Sequence, residues 1–492
     1  MIIGSTADAQ SSPEKIDALI HAYNSADEFN GVVLVSEKGK IIFKKAYGIA
    51  DRELNVPMTV EMKFKIASLS KPFTAMVILQ LVDEGVIELD GKIKDYLQDY
   101  QGEKGDSITI EQLLNHTSGI LQSLDPEQEA IQERLYHSLR DMVRYAEKTD
   151  LYFEPGTGFH YSNLAYNLLA CIAESVTGMP FDKLLKERIF EPLEMTHTKQ
   201  YQAENIEKNL SKGYEYKLLS GYENASSFDP SYTVGPGGLI SDAEDLFKFD
   251  QALYARRFIS KDLYRKMFTP TRYGSYGCGW ELTEKKTTRH PEPISIISHS
   301  GSINGFGSYM ARIESDSILV IVLKNNRTDT YINPAYAPVI GQEIISILYG
   351  EAIQPPKKSI AREMGLLLGQ LGINKAIEAY YRIKSQDFEN YNFGESELNK
   401  LGIELLFKFH MPEEALRVFE LNMLEYPHSY NTYDSYAYVL MQKGDYSNSI
   451  RYYKMGLKIL KEYPEQNSGE SVFKDAENAL KLIQEMELKR KT

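Results

Sequence analysis

Two adjacent prolines, Pro355-Pro356, followed by Lys357-Lys358, divide this chain into stretches with different periodicities. Paired prolines end helices and stiffen linkers, so no regular element is expected to run through them. Before them, strand-like and helix-like patterns alternate. After them no strand signal is legible, and the pattern is helical throughout. At 492 residues the chain exceeds one typical core, so separate folding units are expected on either side: 12–352 and 358–492.

The first stretch reads as α+β. Pro13 to Asn24 is a short helix, and Gly31–Ser36 with Lys40–Tyr47 around Glu37-Lys38-Gly39 is a β-hairpin. Apolar helical patterns span Pro72 to Gly85 and Asn163 to Thr177, the latter stopped by Gly178, with a shorter piece from Ile110 to Asn115. Strand patterns return at Tyr276–Leu282, Ile294–Ser298, Gly307–Ile313 and Ile318–Leu323, and Val339–Tyr349 closes as a helix. Strands at both ends with helices between predict one antiparallel sheet assembled from remote segments.

The second stretch repeats itself. Glu414-Ala415-Leu416-Arg417-Val418-Phe419 is echoed 34 residues later by Asn448-Ser449-Ile450-Arg451-Tyr452-Tyr453. That is the period of a tetratricopeptide repeat, a helical pair that stacks on its neighbours. A small residue followed by an aromatic suits a tight helix crossing. Pro427 and Gly444-Asp445-Tyr446 punctuate the pattern, Lys375–Tyr381 resembles an earlier copy, and Ser471 to Met486 is expected to cap the array. An all-α, tetratricopeptide-like domain is predicted, with a protein partner as its natural ligand.

Composition removes several function classes. The net charge of -14, without long basic clusters, argues against nucleic acid. No run approaches the roughly 18 apolar residues of a membrane span. Met1 to Gln10 has neither a basic start nor a long apolar core, so it reads as no intact signal peptide. Cys171 and Cys278 match no metal spacing and are expected as free or buried thiols.

The chemistry concentrates at Ser68-Leu69-Ser70-Lys71, at the head of the Pro72–Gly85 helix. Residues three apart share a helix face, so the Lys71 amine can take the Ser68 proton. A serine hydroxyl needs such a base to become a nucleophile. Ser12–Lys15 and Ser471–Lys474 fit the same spacing but lack the helix that follows, and read as a cap and a surface lysine. A Pro/Gly turn, Glu154 to Phe159, leads to Tyr161-Ser162-Asn163 at a helix start. There a phenol can relay the proton and an amide can hold a carbonyl or orient the lysine. His299-Ser300-Gly301-Ser302 ends a strand pattern before a glycine-rich turn. A strand edge there can pair with an extended substrate and face a developing oxyanion. Gly235–Leu239 with Ser241–Asp245 reads as a structural turn and helix start.

Ser-x-x-Lys, Tyr-x-Asn and His-Ser-Gly in that order resemble the serine β-lactamase and penicillin-binding-protein family, in its class C-like branch of D,D-peptidases, D-aminopeptidases and esterases. Leu113–Gly119, Pro155–Gly178, Pro192–Met195 and Gly237–Leu239 carry the likeness over roughly Ile16 to Tyr349. The resemblance implies the β-lactamase/transpeptidase-like fold, an antiparallel sheet flanked by helices plus an all-helical subdomain. It also implies an acyl-enzyme hydrolase without metal or cofactor. Carried over, Ser68 is the nucleophile, Lys71 its base and Tyr161 the general base or proton shuttle. Asn163, His299, Ser300, Gly301 and Ser302 bind substrate, with the N–H groups of Ser68 and Ser302 as the oxyanion hole. His116-Thr117-Ser118-Gly119 is a structural landmark outside the site.

His299 departs from the pattern, standing where many members carry a lysine. An imidazole with an ordinary pKa near 6.5 predicts pH-dependent recognition of substrate carboxylates. The expected substrates are amides or esters beside a small or D-configured residue, peptides of the peptidoglycan type among them. A β-lactamase, or a catalytically weak penicillin-binding sensor that signals through its repeats, remains open as an alternative. Periplasmic or secreted action is implied by the resemblance. An α/β-hydrolase or zinc hydrolase is disfavoured, since neither Gly-x-Ser-x-Gly nor His-Glu-x-x-His occurs.

Overall fold

The computed structural model describes residues 11–121, 129, 131–328, 336–463 and, near the C-terminus, 478, 480–481, 483–485 and 488. The chain divides into two compact units. Met1–Glu215, Asn224–Arg327 and Ala335–Pro355 form one; Tyr216–Glu223, Thr328–Pro334 and Pro356–Thr492 form the other.

The first unit is built on a six-stranded sheet. After helix α1 (Ser12–Ser25) come β1 (Gly31–Glu37) and β2 (Lys40–Tyr47), then helices α2 (Lys71–Asp83) and α3 (Asn163–Thr177). The sheet resumes with β3 (Glu281–Lys285), β4 (Ile294–Ile303), β5 (Phe306–Ile313) and β6 (Ile318–Lys324), before α4 (Ala337–Leu348). Strand order is β3-β4-β5-β6-β1-β2, antiparallel at every pairing. The expected sheet from remote segments is therefore found, with β1 pairing β6 from Gly31↔Lys324 to Glu37↔Ile318.

Alternation along the central strands divides two cores. Val33, Val35, Tyr309, Ala311, Val320 and Val322 pack with α1 and α4. Val32, Leu34, Met310, Leu319, Ile321 and Leu323 face the core that contains α2 and α3. Helix α2 is buried at every residue from Lys71 to Leu81, as an apolar run without a polar face requires. Each large aliphatic or aromatic side chain so buried contributes about 1.5–3 kcal/mol.

Two expectations need correction. The Tyr276–Leu282 strand begins only at Glu281. Tyr276–Trp280 is a turn, closed by Gly277 N–H on the Trp280 carbonyl at 2.9 Å. Gly279 stands there at φ +79°, and a Cβ on it would meet the Lys71 carbonyl at 3.0 Å, so the turn seats against α2. Beyond the prolines, Lys358–Ser359 pairs in parallel with Tyr391–Asn392. Two residues per strand are too few to leave an alternating pattern in the sequence.

The second unit is otherwise helical: α5 (Ile360–Leu371), α6 (Ile373–Gln386), α7 (Glu395–Phe407), α8 (Pro412–Glu425), α9 (Tyr430–Gln442) and α10 (Tyr446–Glu462). Ala415 and Ser449 are fully buried, and Phe419 and Tyr453 nearly so. A Cβ on Gly402 would lie 2.5 Å from the Phe419 ring, so α7 and α8 cross closely. Ala376 and Tyr380, in the earlier copy, are also buried. The expected Ser471–Met486 cap falls largely outside the described residues, as does the segment Met1 to Gln10.

This helical core also takes in Tyr216–Glu223. Leu218 is fully buried among Ile360, Ala361, Met364 and Leu368. The Arg362 guanidinium lies 3.8 Å from the centre of the Tyr216 ring, and a Cβ on Gly369 would strike the Leu219 carbonyl at 2.0 Å. Among the described residues no helix is long and apolar enough to cross a membrane.

Candidate active site

Ser68 lies in a 3-10 turn, Ala67–Ser70, that feeds directly into α2. Ala67 is held at φ +50°, a left-handed conformation that costs a non-glycine residue about 1–3 kcal/mol. The turn is pinned on both sides. Ile66 N–H donates to the Leu239 carbonyl at 3.0 Å, and Leu239 N–H to Ser70 Oγ at 3.2 Å. Ser308 Oγ–H donates to the Ile66 carbonyl at 2.7 Å. The strain before the nucleophile is thus over-determined by its neighbours.

Lys71 enters from the first turn of α2 and is fully buried. Its Nζ lies 3.1 Å from Ser68 Oγ, 2.7 Å from Asn163 Oδ1 and 3.1 Å from the Pro236 carbonyl. Among the described residues no carboxylate pairs with it, and burial holds the amine well below the ordinary lysine range. Two amide oxygens, Asn163 Oδ1 and the Pro236 carbonyl, take two of the amine's N–H donors, and its remaining position faces the Ser68 hydroxyl.

Burial pushes the Tyr161 phenol up, against a smaller lowering by the Ser68 hydroxyl beside it, so it is protonated at neutral pH. Lys71 Nζ sits 4.6 Å from the centre of its ring. The Tyr161-Ser162-Asn163 segment is fixed by local chemistry. Ser162 caps α3 by accepting the Ala165 N–H at 3.0 Å, while its own hydroxyl donates to the Leu121 carbonyl at 2.7 Å.

His116 belongs to this arrangement, although the sequence reading left it out. Its Nδ1 accepts the Ser162 N–H at 3.1 Å, and its ring lies 4.4 Å from that of Tyr161. Burial, with Lys71 and His299 nearby, keeps it neutral. His116 is a positioning residue for the Tyr161 segment. The signal available in the sequence was Asn115-His116-Thr117-Ser118-Gly119 itself.

The third element is the free end of β4. β3 pairs β4 only as far as Ser298, opposite Glu281, and β4 continues to Ile303 with β5 alone. Here it runs against the nucleophile: a Cβ on Gly301 would lie 2.2 Å from the Ile66 carbonyl and 3.1 Å from Ser68 N. Glycine at this position lets the strand come that close. Ser300 is half-buried and Ser302 exposed.

His299 overturns the expectation placed on it. It is 1% exposed, and burial together with nearby Lys71 lowers its pKa to about 3. Nδ1–H donates to the Ser300 carbonyl at 2.6 Å, so Nε2 accepts the Tyr276 hydroxyl at 2.8 Å. It is therefore a neutral imidazole that braces the strand, not a titrating partner for a carboxylate. Tyr276, expected in a strand, is a second residue of the site without a sequence signal; it ties the 276–280 turn to the site and packs on His116 at 4.7 Å.

Beside Ser68 opens a cleft of about 140 Å³, lined by Asn163, Pro236, Ser302 and Asn304 with Glu133 and Arg327. The structure thus brings the predicted site residues together from the Ala67–Ser70 turn and the start of α2, the Tyr161–Asn163 approach to α3, and the end of β4. The three columns of chemistry meet at Ser68: a desolvated amine, a protonated phenol and a strand edge.

Residues 16–337 match the family model described as Beta-lactamase. The chain is 32% identical over 375 residues to Penicillin-binding protein 4* of Bacillus subtilis (strain 168), covering 71% of this chain and 79% of that protein. Among solved structures, the octameric penicillin-binding protein homologue from Pyrococcus abyssi is similar with a TM-score of 0.59 at 23% identity, over 73% of this chain and 81% of that one. The D-amino acid amidase from Ochrobactrum anthropi SV3 also gives 0.59, at 24% identity, over 69% and 97%. These two likenesses establish the β-lactamase/transpeptidase-like fold. The chain belongs to the Beta-lactamase family and is a β-lactamase-related serine hydrolase.

Proposed function

We propose that the protein hydrolyses amide or ester bonds through an acyl-enzyme on Ser68. The observation that carries this is the Lys71 amine, fully buried, without a carboxylate partner among the described residues and 3.1 Å from Ser68 Oγ. In the proposed sequence Lys71 takes the Ser68 proton as Oγ attacks the substrate carbonyl carbon. The N–H groups of Ser68 and Ser302 receive the oxyanion. The carbon–nitrogen or carbon–oxygen bond then breaks, the Tyr161 phenol protonates the leaving group, and Lys71 returns its proton to Tyr161. Water repeats the cycle in reverse roles to release the acid and restore Ser68. Asn163 orients Lys71 through its 2.7 Å contact and is close enough to meet the substrate carbonyl side.

Within the family we favour a D,D-carboxypeptidase, D-aminopeptidase-like or esterase activity on small peptides or esters. The names of the relatives, penicillin-binding protein and D-amino acid amidase, support that class. Efficient β-lactamase action is disfavoured, because neutral His299 offers no cation for a penicillin carboxylate. Extracytoplasmic action is part of the same proposal. We also propose folding units at 12–352 and 358–492, with Tyr216–Glu223 assigned to the helical side, and tetratricopeptide-like repeats there that bind a protein partner.

The test is mass spectrometry of the protein after a fluorophosphonate, beside turnover of p-nitrophenyl acetate. An adduct on the peptide carrying Ser68, lost in Ser68→Ala with turnover, is the expected result. Labelling and turnover that persist in Ser68→Ala would defeat the proposal.

A further inference from the structure

Opposite charges stand in the cleft beside Ser68 without closing on each other. Glu133 and Arg327 both line it. Glu133 N–H donates to the Glu129 carbonyl at 2.9 Å, so it rises from the same turn as Glu129, a second acid of the cleft. The Glu133 carbonyl accepts the Asp229 N–H at 2.8 Å, which ties this turn to the wall that carries Phe228. Arg327 follows strand β6 and is exposed, whereas Glu133 is half-buried. Among the described residues neither Glu133 nor Arg327 forms an ion pair; Glu133 Oε1 meets the Asn304 amide, at 3.5 Å.

An acid and a guanidinium that line one cleft of about 140 Å³ and stay apart are complementary to a ligand that carries both charges. A ligand with one charge would satisfy one of them and face the like charge of the other. The cleft also has a direction. Asn163 and Ser302, which offers an oxyanion N–H, line it, whereas Tyr161, Tyr276 and Ser300 do not. Tyr161 is the acid that protonates the leaving group, so the leaving group departs on its side and the cleft keeps the acyl half. Its room suits a short chain: at about 30 Å³ for a group the size of a water, it holds about five such groups.

Resting on the acyl-hydrolase reading above, we propose that this cleft is an acyl subsite for a zwitterionic amino-acid end, with Arg327 receiving its carboxylate and Glu133 its ammonium. The preferred substrates are then amides or esters of a side-chain carboxyl, of the γ-glutamyl type. Beyond its scissile carbonyl a γ-glutamyl group has two methylenes, a methine, an ammonium and a carboxylate, which together fill that space. The substrate amine and carboxylate thus sit at the far end of the acyl chain, not beside the scissile bond. Water takes the acyl group from Ser68 as described above, so the products are the free amino acid and the leaving amine or alcohol.

The experiment compares kcat/KM for p-nitroanilides of matched chain length: γ-glutamyl (both enantiomers), glutaryl, 4-aminobutyryl and butyryl. They carry both charges, the carboxylate alone, the ammonium alone and neither. The full chain is used as wild type, Arg327→Gln and Glu133→Gln. In the wild type one γ-glutamyl enantiomer should exceed the butyryl compound by about 10- to 100-fold, as two charge contacts at partly exposed groups would give. Arg327→Gln should lower γ-glutamyl and glutaryl relative to butyryl, and Glu133→Gln should lower γ-glutamyl and 4-aminobutyryl. Ratios to butyryl cancel a general loss of activity. Wild-type ratios near one would overturn the inference while leaving Ser68 chemistry intact. So would variants that move every probe in parallel, a singly charged probe that beats γ-glutamyl, or an enzyme active on p-nitrophenyl acetate that turns over none of the anilides. A wild type that is neither labelled at Ser68 nor active on p-nitrophenyl acetate would instead overturn the hydrolase reading, and this inference with it.

Discussion

The two units bury different things. Around Ser68 the interior holds polar groups: Lys71, His116, His299 and Ser308 are almost wholly removed from solvent. Each is matched to a specific partner, or left neutral by its surroundings. In the helical unit the repeat positions hold shape, Gly402 against Phe419, Ala415, Ser449 and Tyr453, although Glu397, Glu404 and Asn422 are buried there too. Buried polar groups are costly unless satisfied, and they make a site over-determined and chemically active. Small-against-aromatic packing is cheaper and repeats, and it makes a scaffold. One unit should therefore respond to mutation in its rates, the other in its stability.

The largest effect expected of that contrast is catalytic. Lys71→Met keeps the volume but removes the base, and Tyr161→Phe removes the relay. Each should lower kcat by about 100- to 10,000-fold, the usual range for a lost proton-transfer group. Because the two act as a unit, the double variant should lose little more than either. Fully multiplicative losses in steady-state rates would show that they work independently.

The helical counterpart is Phe419→Ala. Removing a fully packed aromatic from a core costs about 3–5 kcal/mol. Thermal or urea unfolding should show that loss while kcat on a small ester stays near wild type. A large kcat change with unaltered unfolding would reverse the comparison.

Ending the chain after Pro355 probes the seam. Tyr216–Glu223 stays in the shortened chain, yet Leu218 is buried only in the company of Ile360, Ala361, Met364 and Leu368. Losing that cover exposes an apolar side chain worth about 1.5–3 kcal/mol. The truncated protein should unfold at lower temperature, and replacing Leu218 and Leu219 with serine should restore solubility. A truncation as stable as the full chain would mean that Leu218 needs no helical cover.

The smallest effect concerns pH. His299 in the fold titrates at about 3, below the ordinary value near 6.5 of an unfolded imidazole. Between those values the unfolded chain binds more protons, so stability rises with pH there. The contribution is present above about pH 6.5 and is lost as pH falls toward 3. His299→Gln should flatten the acid side of the stability profile, and wild-type rates should show no imidazole titration between about pH 5 and 8. A rate titration near 6.5 that vanishes in His299→Gln would contradict the neutral, bracing role.

Much of this was legible in the sequence because order and spacing survive without coordinates. Ser68 and Lys71 are joined by one helix turn, and the strand at Ile294 carries His299-Ser300-Gly301 whatever lies beside it. Partnership across the fold was not legible. Nothing near His299 announced that Tyr276 would close over it, or that burial would remove its proton. The strand misread at Tyr276 failed because Gly277 and Gly279 turn the chain back on α2, a tertiary requirement rather than a local one. Leu218 lies in the stretch before the prolines, and its burial among helices more than 140 residues away has no local signature.

The central claim is that Lys71 is an uncharged base at neutral pH. The rate of fluorophosphonate labelling at Ser68, followed by mass spectrometry across pH, tests it most directly. A neutral lysine predicts an acid limb that ends well below the ordinary lysine pKa, then a plateau through neutrality, with the limb absent in Lys71→Met. A wild-type rate still climbing toward pH 10 would mean that Lys71 is an ordinary cation, and the account of the site would be wrong.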